Sequence, residues 1–266
     1  MAMLRDKKLF LFDLDGTLYL DEELFDGTTD ILEYIKSVGG RYMFLTNNSS
    51  KSVDAYIAKM KRLGIDTTNE DFLTSVDALV DYLSDKNYKK MYVSGTRSFF
   101  DQLKGAGFPV VNELEDGIDC LVCGYDTELT YKKLEDSCIL LGRGVDFIAA
   151  NPDWVCPTWY GFAPDCGSVC QMLTIATGKK PRFIGKPNPE MIYLSLKRAG
   201  YSPEESVLVG DRIYTDIASA LNAGVDGYLV LSGETTLEDA EKSDIKPTRI
   251  YKNVKEIYEL YKEGKE

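Results

Sequence analysis

Four short apolar runs of this sequence end in polar side chains that could do chemistry. The runs and the polar residues after them are 8–12 with Asp13 and Asp15, 42–45 with Thr46, 182–184 with Lys186, and 206–209 with Asp211 and Asp216. Such runs are typical of strands buried on both faces of a parallel sheet. Because ligands bind at the carboxyl ends of the strands in open parallel sheets, we expect these side chains to converge there.

Carboxylates, a hydroxyl and an ammonium together would form a hard, oxygen-rich site. Mg²⁺ prefers such ligands and leaves positions for water and phosphate oxygens. Asp13 and Asp15 are only two residues apart, and their mutual repulsion is offset by a cation or a shared proton. The sequence therefore predicts Mg²⁺ as the cofactor and a phosphoryl group in the substrate. The alternatives are that Lys186 is a solvated lysine and that Asp216 caps a helix.

The composition excludes several kinds of site. The 266 residues include 31 Lys plus Arg, 43 Asp plus Glu and no histidine, and the formal net charge is −12. Imidazole bases and histidine-ligated metals are therefore ruled out, and acid–base chemistry must use carboxylates or lysines. Nucleic acid is not an expected partner of so acidic a chain. We interpret the short basic clusters as solvated helix faces or loops: Lys59, Lys61 and Arg62, and Lys179, Lys180 and Arg182.

All six cysteines lie between Cys120 and Cys170. Cys120 and Cys123 fall in a predicted strand, where alternation directs them to opposite faces and makes a shared metal site unfavourable. Cys166 and Cys170 form a second pair. We interpret the cysteines as buried structural thiols, with a metal or redox function as the alternative.

No targeting or membrane segment is recognisable in the sequence. The first twenty residues lack the basic flank and apolar run of a signal peptide, and no stretch approaches the ~20 apolar residues that span a bilayer. We therefore predict a cytoplasmic location and no membrane partner.

Strand and helix patterns alternate at both ends of the chain, which predicts an α/β fold with a parallel sheet. The last part of this pattern includes a helix capped near Thr215 and ended by Gly224. Between the two ends lie all the cysteines and a loop-rich stretch, 151–167. We predict a discontinuous domain formed by 1–80 and 182–266, with a second domain, 81–181, inserted into it. One continuous large sheet is the alternative.

Four segments, 12–17, 45–48, 185–187 and 210–212 with Asp216, resemble in order and spacing the four motifs of haloacid dehalogenase (HAD) superfamily phosphatases. The resemblance implies a Rossmann-like parallel-sheet core. An insertion between the second and third motifs is similar to the large α/β (C2-type) cap. Segment 151–167 looks like that of the nitrophenylphosphatase-like subfamily, which includes sugar-phosphate phosphatases, although 164–168 departs from its usual Gly-rich pattern.

The resemblance also implies a role for each carboxylate. Asp13 would attack phosphorus and form an aspartyl-phosphate, and Asp15 would carry the proton to the leaving oxygen and later from the attacking water. Asp13 and Asp211 would bind Mg²⁺ directly, together with the main-chain carbonyl of Asp15. Asp216 would lie one layer further from the metal.

The same resemblance implies the substrate contacts. Thr46 and the amide of Asn47 would hold the phosphoryl oxygens, and Lys186 would neutralise charge that spreads over them in the transition state. The cap would close over the site, contact the leaving group and so select the substrate. The candidate residues for contacting the leaving group are Asp153, Trp154, Trp159 and Tyr160.

The sequence thus predicts a Mg²⁺-dependent phosphomonoesterase for a sugar, polyol or aryl phosphate, with a homodimer left open. A phosphotransferase to an acceptor other than water and a catalytically retired sensor of phosphometabolites remain alternatives. A dehalogenase has no leaving oxygen for Asp15 to protonate. A receiver domain does not require a hundred-residue insertion between Thr46 and Lys186.

Overall fold

Strands and helices alternate along most of the chain in the computed structural model, which describes residues 3–158 and 160–264. The strands are β1 (Leu9–Phe12), β2 (Tyr19–Leu20), β3 (Glu23–Leu24), β4 (Arg41–Thr46), β5 (Phe72–Thr74), β6 (Met91–Ser94), β7 (Val110–Val111), β8 (Cys120–Cys123), β9 (Asp146–Ala149), β10 (Val155–Thr158), β11 (Gly161–Pro164), β12 (Arg182–Phe183), β13 (Ser206–Gly210), β14 (Asp226–Val230) and β15 (Arg249–Tyr251). The α-helices are α1 (Thr28–Ser37), α2 (Val53–Arg62), α3 (Ser75–Ser84), α4 (Arg97–Gly105), α5 (Tyr131–Gly142), α6 (Cys166–Thr177), α7 (Glu190–Ala199), α8 (Ala218–Ala223), α9 (Leu237–Lys242) and α10 (Val254–Lys262). Among the described residues, no helix combines the length and apolarity that a membrane span requires.

The chain divides into two compact units. The first unit comprises Met1–Thr46, Val53–Leu73 and Lys186–Glu266. Its six-stranded sheet has the order β15, β14, β13, β1, β4, β5, and β1 pairs in parallel with both β13 and β4. The strand order therefore reverses at β1, so the carboxyl end of β1 is the switch point where parallel α/β sheets bind ligands.

The sheet of the first unit is covered on both faces. All four residues of β1 are buried, as the apolar run predicts. Phe10 and Phe12 pack with aromatic and aliphatic side chains of neighbouring strands and of α1 and α10. Leu229 of β14 packs on the opposite face with Ile213 and Ile217. Burial on both faces fixes the register, and with it the position of the residue that follows each strand.

The second unit comprises Asn47–Ser52 and Thr74–Gly185. Its five-stranded sheet has the order β12, β9, β8, β6, β7, with parallel pairing throughout. A separate antiparallel hairpin joins β10 to β11. The predicted α/β fold class is confirmed, and the alternative of one continuous sheet is wrong.

Four details of the sequence interpretation differ from the structure. The 182–184 run contributes β12, which pairs with β9 in the second unit instead of joining the first sheet. The helix predicted to be capped near Thr215 begins earlier, as a π-helical turn, Ile213–Ile217, that continues into α8. The stretch 151–167 contains the β10–β11 hairpin. The breaks between the two units fall before Thr74 and after Gly185, a few residues from the predicted 81 and 181, and 47–52 groups with the second unit.

The six cysteines are all among the described residues of the second unit, and no disulfide joins any two of them. Cys123 packs in its core with Cys166 and Cys170. Cys120, on the same strand, instead lies beside Tyr88 and Asp146. The two cysteines of β8 thus have different neighbours, as strand alternation predicts.

Candidate active site

The carboxylate of Asp13 lies directly beyond β1, at the switch point of the first unit's sheet. Its main-chain N–H continues the ladder by donating to Val209 O at 2.9 Å, which fixes the start of the following loop. One carboxylate oxygen accepts a hydrogen bond from Lys186 Nζ at 2.5 Å. The side chain keeps 16% of its surface exposed, so it is accessible from outside the core.

Lys186 is the central cation of the site and is 2% exposed. Its ammonium donates to Asp13 Oδ1, to Asp216 Oδ1 at 2.6 Å and to the main-chain carbonyl of Leu45 at 3.3 Å. Burial acts to lower the pKa of Lys186, but Asp13 and Asp216 outweigh burial and raise the pKa. Lys186 therefore stays charged and is not the solvated lysine of the alternative interpretation.

Asp211 and Asp216 complete a cluster of three carboxylates with Asp13, and one oxygen from each lies within 4.8 Å of the others. Asp211 follows β13 and is 2% exposed, and Asp216 lies in the π-helical turn and is 1% exposed. Asp216 also accepts a hydrogen bond from the main-chain N–H of Arg212 at 3.0 Å. Asp216 therefore closes the turn and also contacts Lys186. Its interpretation as a helix cap is compatible with its interpretation as a residue of the functional site.

The cluster carries more negative charge than Lys186 alone can balance. Burial, with Asp216 and Asp211 adding to it, raises the pKa of Asp13 well above its usual value, although Lys186 opposes the rise. Burial and Asp216 raise the pKa of Asp211 to about 6. A divalent cation among these oxygens would stabilise all three ionised carboxylates. The donor set is hard oxygen, which fits Mg²⁺.

The carboxylate of Asp15 lies apart from this cluster. It is 60% exposed, and Lys59 Nζ lies 3.6 Å from its Oδ1. The ammonium of Lys59 also lies 3.7 Å from the centre of the buried Tyr19 ring. Lys59 is only 19% exposed, so its interpretation as part of a solvated helix face is wrong. The predicted metal ligand at Asp15 is its main-chain carbonyl, and that role stays a prediction.

The predicted substrate contacts are distributed over both units. Thr46 ends β4 in the first unit and is buried. Asn47 belongs to the second unit, where its side-chain amide donates to Asp153 Oδ1 at 3.0 Å and its carbonyl accepts from Ser75 and Asn151. Trp154 and Tyr160 are exposed. Trp159, the remaining candidate, lies outside the described residues.

One segment of the site has no counterpart in the sequence interpretation. Residues 232–235 follow β14, whose carboxyl end lies at the same edge as those of β1 and β13. The main-chain N–H of Glu234 donates to Asp211 Oδ2 at 2.7 Å. The only signal that could have indicated this segment is its place after another apolar parallel strand.

Comparison with known proteins agrees with this arrangement. Residues 10–109 match the family model described as haloacid dehalogenase-like hydrolase, and residues 183–257 match the one described as HAD-hydrolase-like. An acid sugar phosphatase from Staphylococcus aureus is 34% identical over 97% of this chain and 100% of its own length. The chain belongs to the HAD superfamily. The motif resemblance described from the sequence is confirmed.

Solved structures of HAD superfamily members show the same fold over nearly the whole chain. A 4-nitrophenylphosphatase from Thermotoga maritima has a TM-score of 0.91 and 36% identity, covering 97% of this chain and 98% of that one. A glycerol phosphate phosphatase from Mycobacterium tuberculosis in complex with magnesium has a TM-score of 0.89 and 29% identity, covering 97% and 78%. These similarities place the chain in the nitrophenylphosphatase-like subfamily.

Proposed function

We propose that this protein is a Mg²⁺-dependent phosphomonoesterase that hydrolyses small phosphate esters through an aspartyl-phosphate on Asp13. The observation that carries the proposal is the position of Asp13. Its carboxylate lies beyond the switch-point strand, contacts a buried lysine and belongs to a cluster of three carboxylates. The acid sugar phosphatase, 4-nitrophenylphosphatase and glycerol phosphate phosphatase named above support the substrate class.

Asp13, Asp211 and the main-chain carbonyl of Asp15 are the groups that would hold Mg²⁺, with Asp216 beside them. When bound, the ion would neutralise the phosphoryl oxygens and the carboxylates and so favour ionised Asp13. The raised pKa values of Asp13 and Asp211 support this assignment, because burial and then the neighbouring carboxylates disfavour the ionised forms, and a bound cation would offset both effects.

Asp13 is the nucleophile of the proposed reaction. One of its oxygens attacks phosphorus in line, the bond from phosphorus to the ester oxygen breaks, and an aspartyl-phosphate forms. Lys186 stays charged and balances the charge that develops on the phosphoryl oxygens. In the second half, water attacks the aspartyl-phosphate, phosphate leaves, and Asp13 is regenerated as a carboxylate.

Asp15 is the proton carrier of both halves. It donates a proton to the leaving ester oxygen and later accepts one from the attacking water, so no proton is gained or lost over the cycle. Its side chain is 60% exposed, so a leaving group can reach it. The hydroxyl of Thr46 and the amide of Asn47 are proposed to bind phosphoryl oxygens. Asp153 in the second unit, the proposed cap, is expected to contribute to substrate selection.

The proposal is tested by measuring phosphate release from sugar, polyol, nucleotide and aryl phosphates, with Mg²⁺ and with a chelator. We expect turnover that depends on the metal and falls by about 10³-fold or more in Asp13→Asn, since that change removes the nucleophile. A wild-type protein that binds Mg²⁺ and phosphate but releases no phosphate from any ester would favour the sensor. Transfer of the phosphoryl group to an added alcohol, with no free phosphate, would favour a phosphotransferase.

A further inference from the structure

Residues 232–235, which we call the 232–235 loop, wrap around the proposed metal ligand Asp211. The loop follows β14 and lies within the first unit. The main-chain N–H of Glu234 donates to Asp211 Oδ2 at 2.7 Å, and that of Thr235 donates to the Asp211 carbonyl at 3.2 Å. Two consecutive amides of the loop thus hold both the side chain and the backbone of one aspartate.

The contact between the loop and Asp211 requires glycine at position 233. A Cβ on Gly233 would lie 2.0 Å from Asp211 Oδ2 and 2.6 Å from Asp211 Cβ, far inside van der Waals contact. Gly16 is also close to this carboxylate, since a Cβ there would lie 2.6 Å from the same oxygen. Two glycine backbones therefore lie close to Asp211 Oδ2, which leaves that carboxylate little freedom to rotate.

Side chains of the loop fix it to the rest of the site. Ser232 Oγ donates to the Gly16 carbonyl at 2.8 Å, which ties the loop to the segment after Asp13 and Asp15. Thr235 Oγ1 accepts from the main-chain N–H of Ile213 at 3.2 Å. The loop is thereby joined to two of the chain segments that carry proposed metal ligands.

Glu234 adds a charged contact on the outer side. Its carboxylate lies 2.9 Å from Arg212 Nε and accepts a hydrogen bond from Tyr214 OH at 2.6 Å. Both partners come from the segment that begins directly after Asp211. Glu234 thus contacts Asp211 through its main-chain N–H, and it contacts Arg212 and Tyr214 through its side chain.

We propose that the 232–235 loop is a positioning element for the metal ligand Asp211, with Gly233 as its critical residue. This inference rests on the function proposed above. It extends that function to residues whose role is to hold a metal ligand in place. The Glu234 amide holds Oδ2 at 2.7 Å, whereas Oδ1 accepts a longer hydrogen bond from Thr17 Oγ1 at 3.4 Å, so Oδ1 is the more available oxygen of Asp211 for the cation. Groups that orient a metal ligand in this way control metal affinity as strongly as many direct ligands.

The experiment compares the wild type with Gly233→Ala, Ser232→Ala and Gly142→Ala. Gly233→Ala places a methyl group 2.0 Å from Asp211 Oδ2, and Ser232→Ala removes only the hydrogen bond to the Gly16 carbonyl. Gly142→Ala is the matched control, because a Cβ there meets nothing within 4 Å. Metal affinity is measured with Mn²⁺ in place of Mg²⁺, from the loss of the electron paramagnetic resonance signal of the free ion. This readout does not depend on turnover.

We expect Gly233→Ala to weaken Mn²⁺ binding by about 10–100-fold, the range typical of lost support around a metal ligand. Ser232→Ala should show a smaller loss in the same direction, and Gly142→Ala should bind like the wild type. Phosphate release at saturating Mg²⁺ should recover further than release at low Mg²⁺, since the defect lies in metal binding.

Variants that unfold at lower temperature yet bind Mn²⁺ like the wild type would overturn the inference and leave the proposed function intact. If Gly233→Ala does not fold, Ser232→Ala decides the question alone by the same criterion. A wild-type protein that binds neither Mn²⁺ nor Mg²⁺ would overturn both the inference and the proposed metal dependence.

Discussion

Each unit of this protein contains a buried cluster of potential metal ligands, and the two clusters differ in how their charge is balanced. The carboxylate cluster of the first unit is Asp13, Asp211 and Asp216. The thiol cluster of the second unit is Cys123, Cys166 and Cys170, with Cys166 Sγ 4.0 Å from Cys170 Sγ. Both sets were candidates for chemistry from residue type and spacing alone.

Burial raises the pKa values of Asp13, Asp211 and Cys170, but only the two carboxylates have neighbours that oppose the rise. The Glu234 amide, Arg212 and Lys186 all act to lower the pKa of Asp211, which stays at about 6. For Cys170, hydrogen bonds with Cys123 and Cys166, together with burial, all raise the pKa. Cys170 is therefore a neutral core thiol at neutral pH, whereas the donors and cations around Asp211 favour its ionised form and so the binding of a cation. Residue type alone therefore does not establish a metal site, because the hydrogen-bond donors and charges around the residues determine whether they can bind a cation.

The largest effect on activity and stability should come from removing Lys186, whose ammonium pairs with the carboxylate cluster. In Lys186→Met, kcat should fall by about 10³-fold or more, because the charge that develops on the phosphoryl oxygens loses its partner. The unfolding free energy should also fall, by about 3–5 kcal/mol, since buried carboxylates lose their ion pair. Steady-state kinetics and chemical denaturation measure the two effects.

Lys7→Met is the matched control for that substitution. Lys7 is also buried, at 1% exposure, and pairs with Asp226 at 2.6 Å outside the site. We expect this variant to lose stability while the folded protein keeps kcat within about 3-fold, because Lys7 supports only the structure. Equal losses of kcat in the two variants would show that Lys186 acts through stability alone.

The second effect is a pH dependence of stability in the metal-free protein. Folding raises the pKa of Asp211 from 3.8 to about 6, so between these values the folded state binds more protons than the unfolded chain. Stability should therefore fall as pH rises through this window, by up to about 3 kcal/mol from this group. Chemical denaturation with chelator at pH 4.5 and 7.5 measures the fall, and Mg²⁺ should reverse it at pH 7.5. The same fall in Asp211→Asn would assign it to other groups.

The smallest effects should come from the thiol cluster. Cys166→Ala and Cys170→Ala should keep Mg²⁺ dependence and kcat within about 2-fold and lose about 1–2 kcal/mol of stability, the usual cost of trimming a small buried side chain. Native protein should also resist thiol reagents at both positions. Stoichiometric zinc bound by wild type and lost in either variant would contradict the contrast drawn between the two clusters.

The sequence predicted the fold class and most strand ends because each buried strand leaves a continuous apolar run. Asp13 and Asp211 were found in this way, since the polar residue after such a run lies at the ligand-binding edge of the first sheet. Lys186 was also singled out by the run before it, but that run forms β12 of the second sheet, so the reason does not hold for Lys186. The sheet to which β12 belongs was not predictable, because a two-residue strand carries no sign of its partner.

Two further features of the site were also beyond prediction. The 232–235 loop holds Asp211 with main-chain amides, which any residue type supplies, and only the folded chain shows the lack of space at Gly233. The contact of Lys59 with Tyr19 depends on where α2 packs, so a cluster of basic residues appeared to be an ordinary solvated face. The opposite placement of Cys120 and Cys123, by contrast, follows from strand alternation and was predicted.

The central claim is that Asp13 in the carboxylate cluster is the nucleophile, and covalent trapping tests it most directly. The protein is mixed with a ³²P-labelled phosphate ester and Mg²⁺, quenched in acid within the first turnover and digested for peptide mapping. The account predicts label on the peptide that contains Asp13 in the wild type and none in Asp13→Asn. Normal phosphate release with no protein-bound label, or with label on a different residue, would contradict the account.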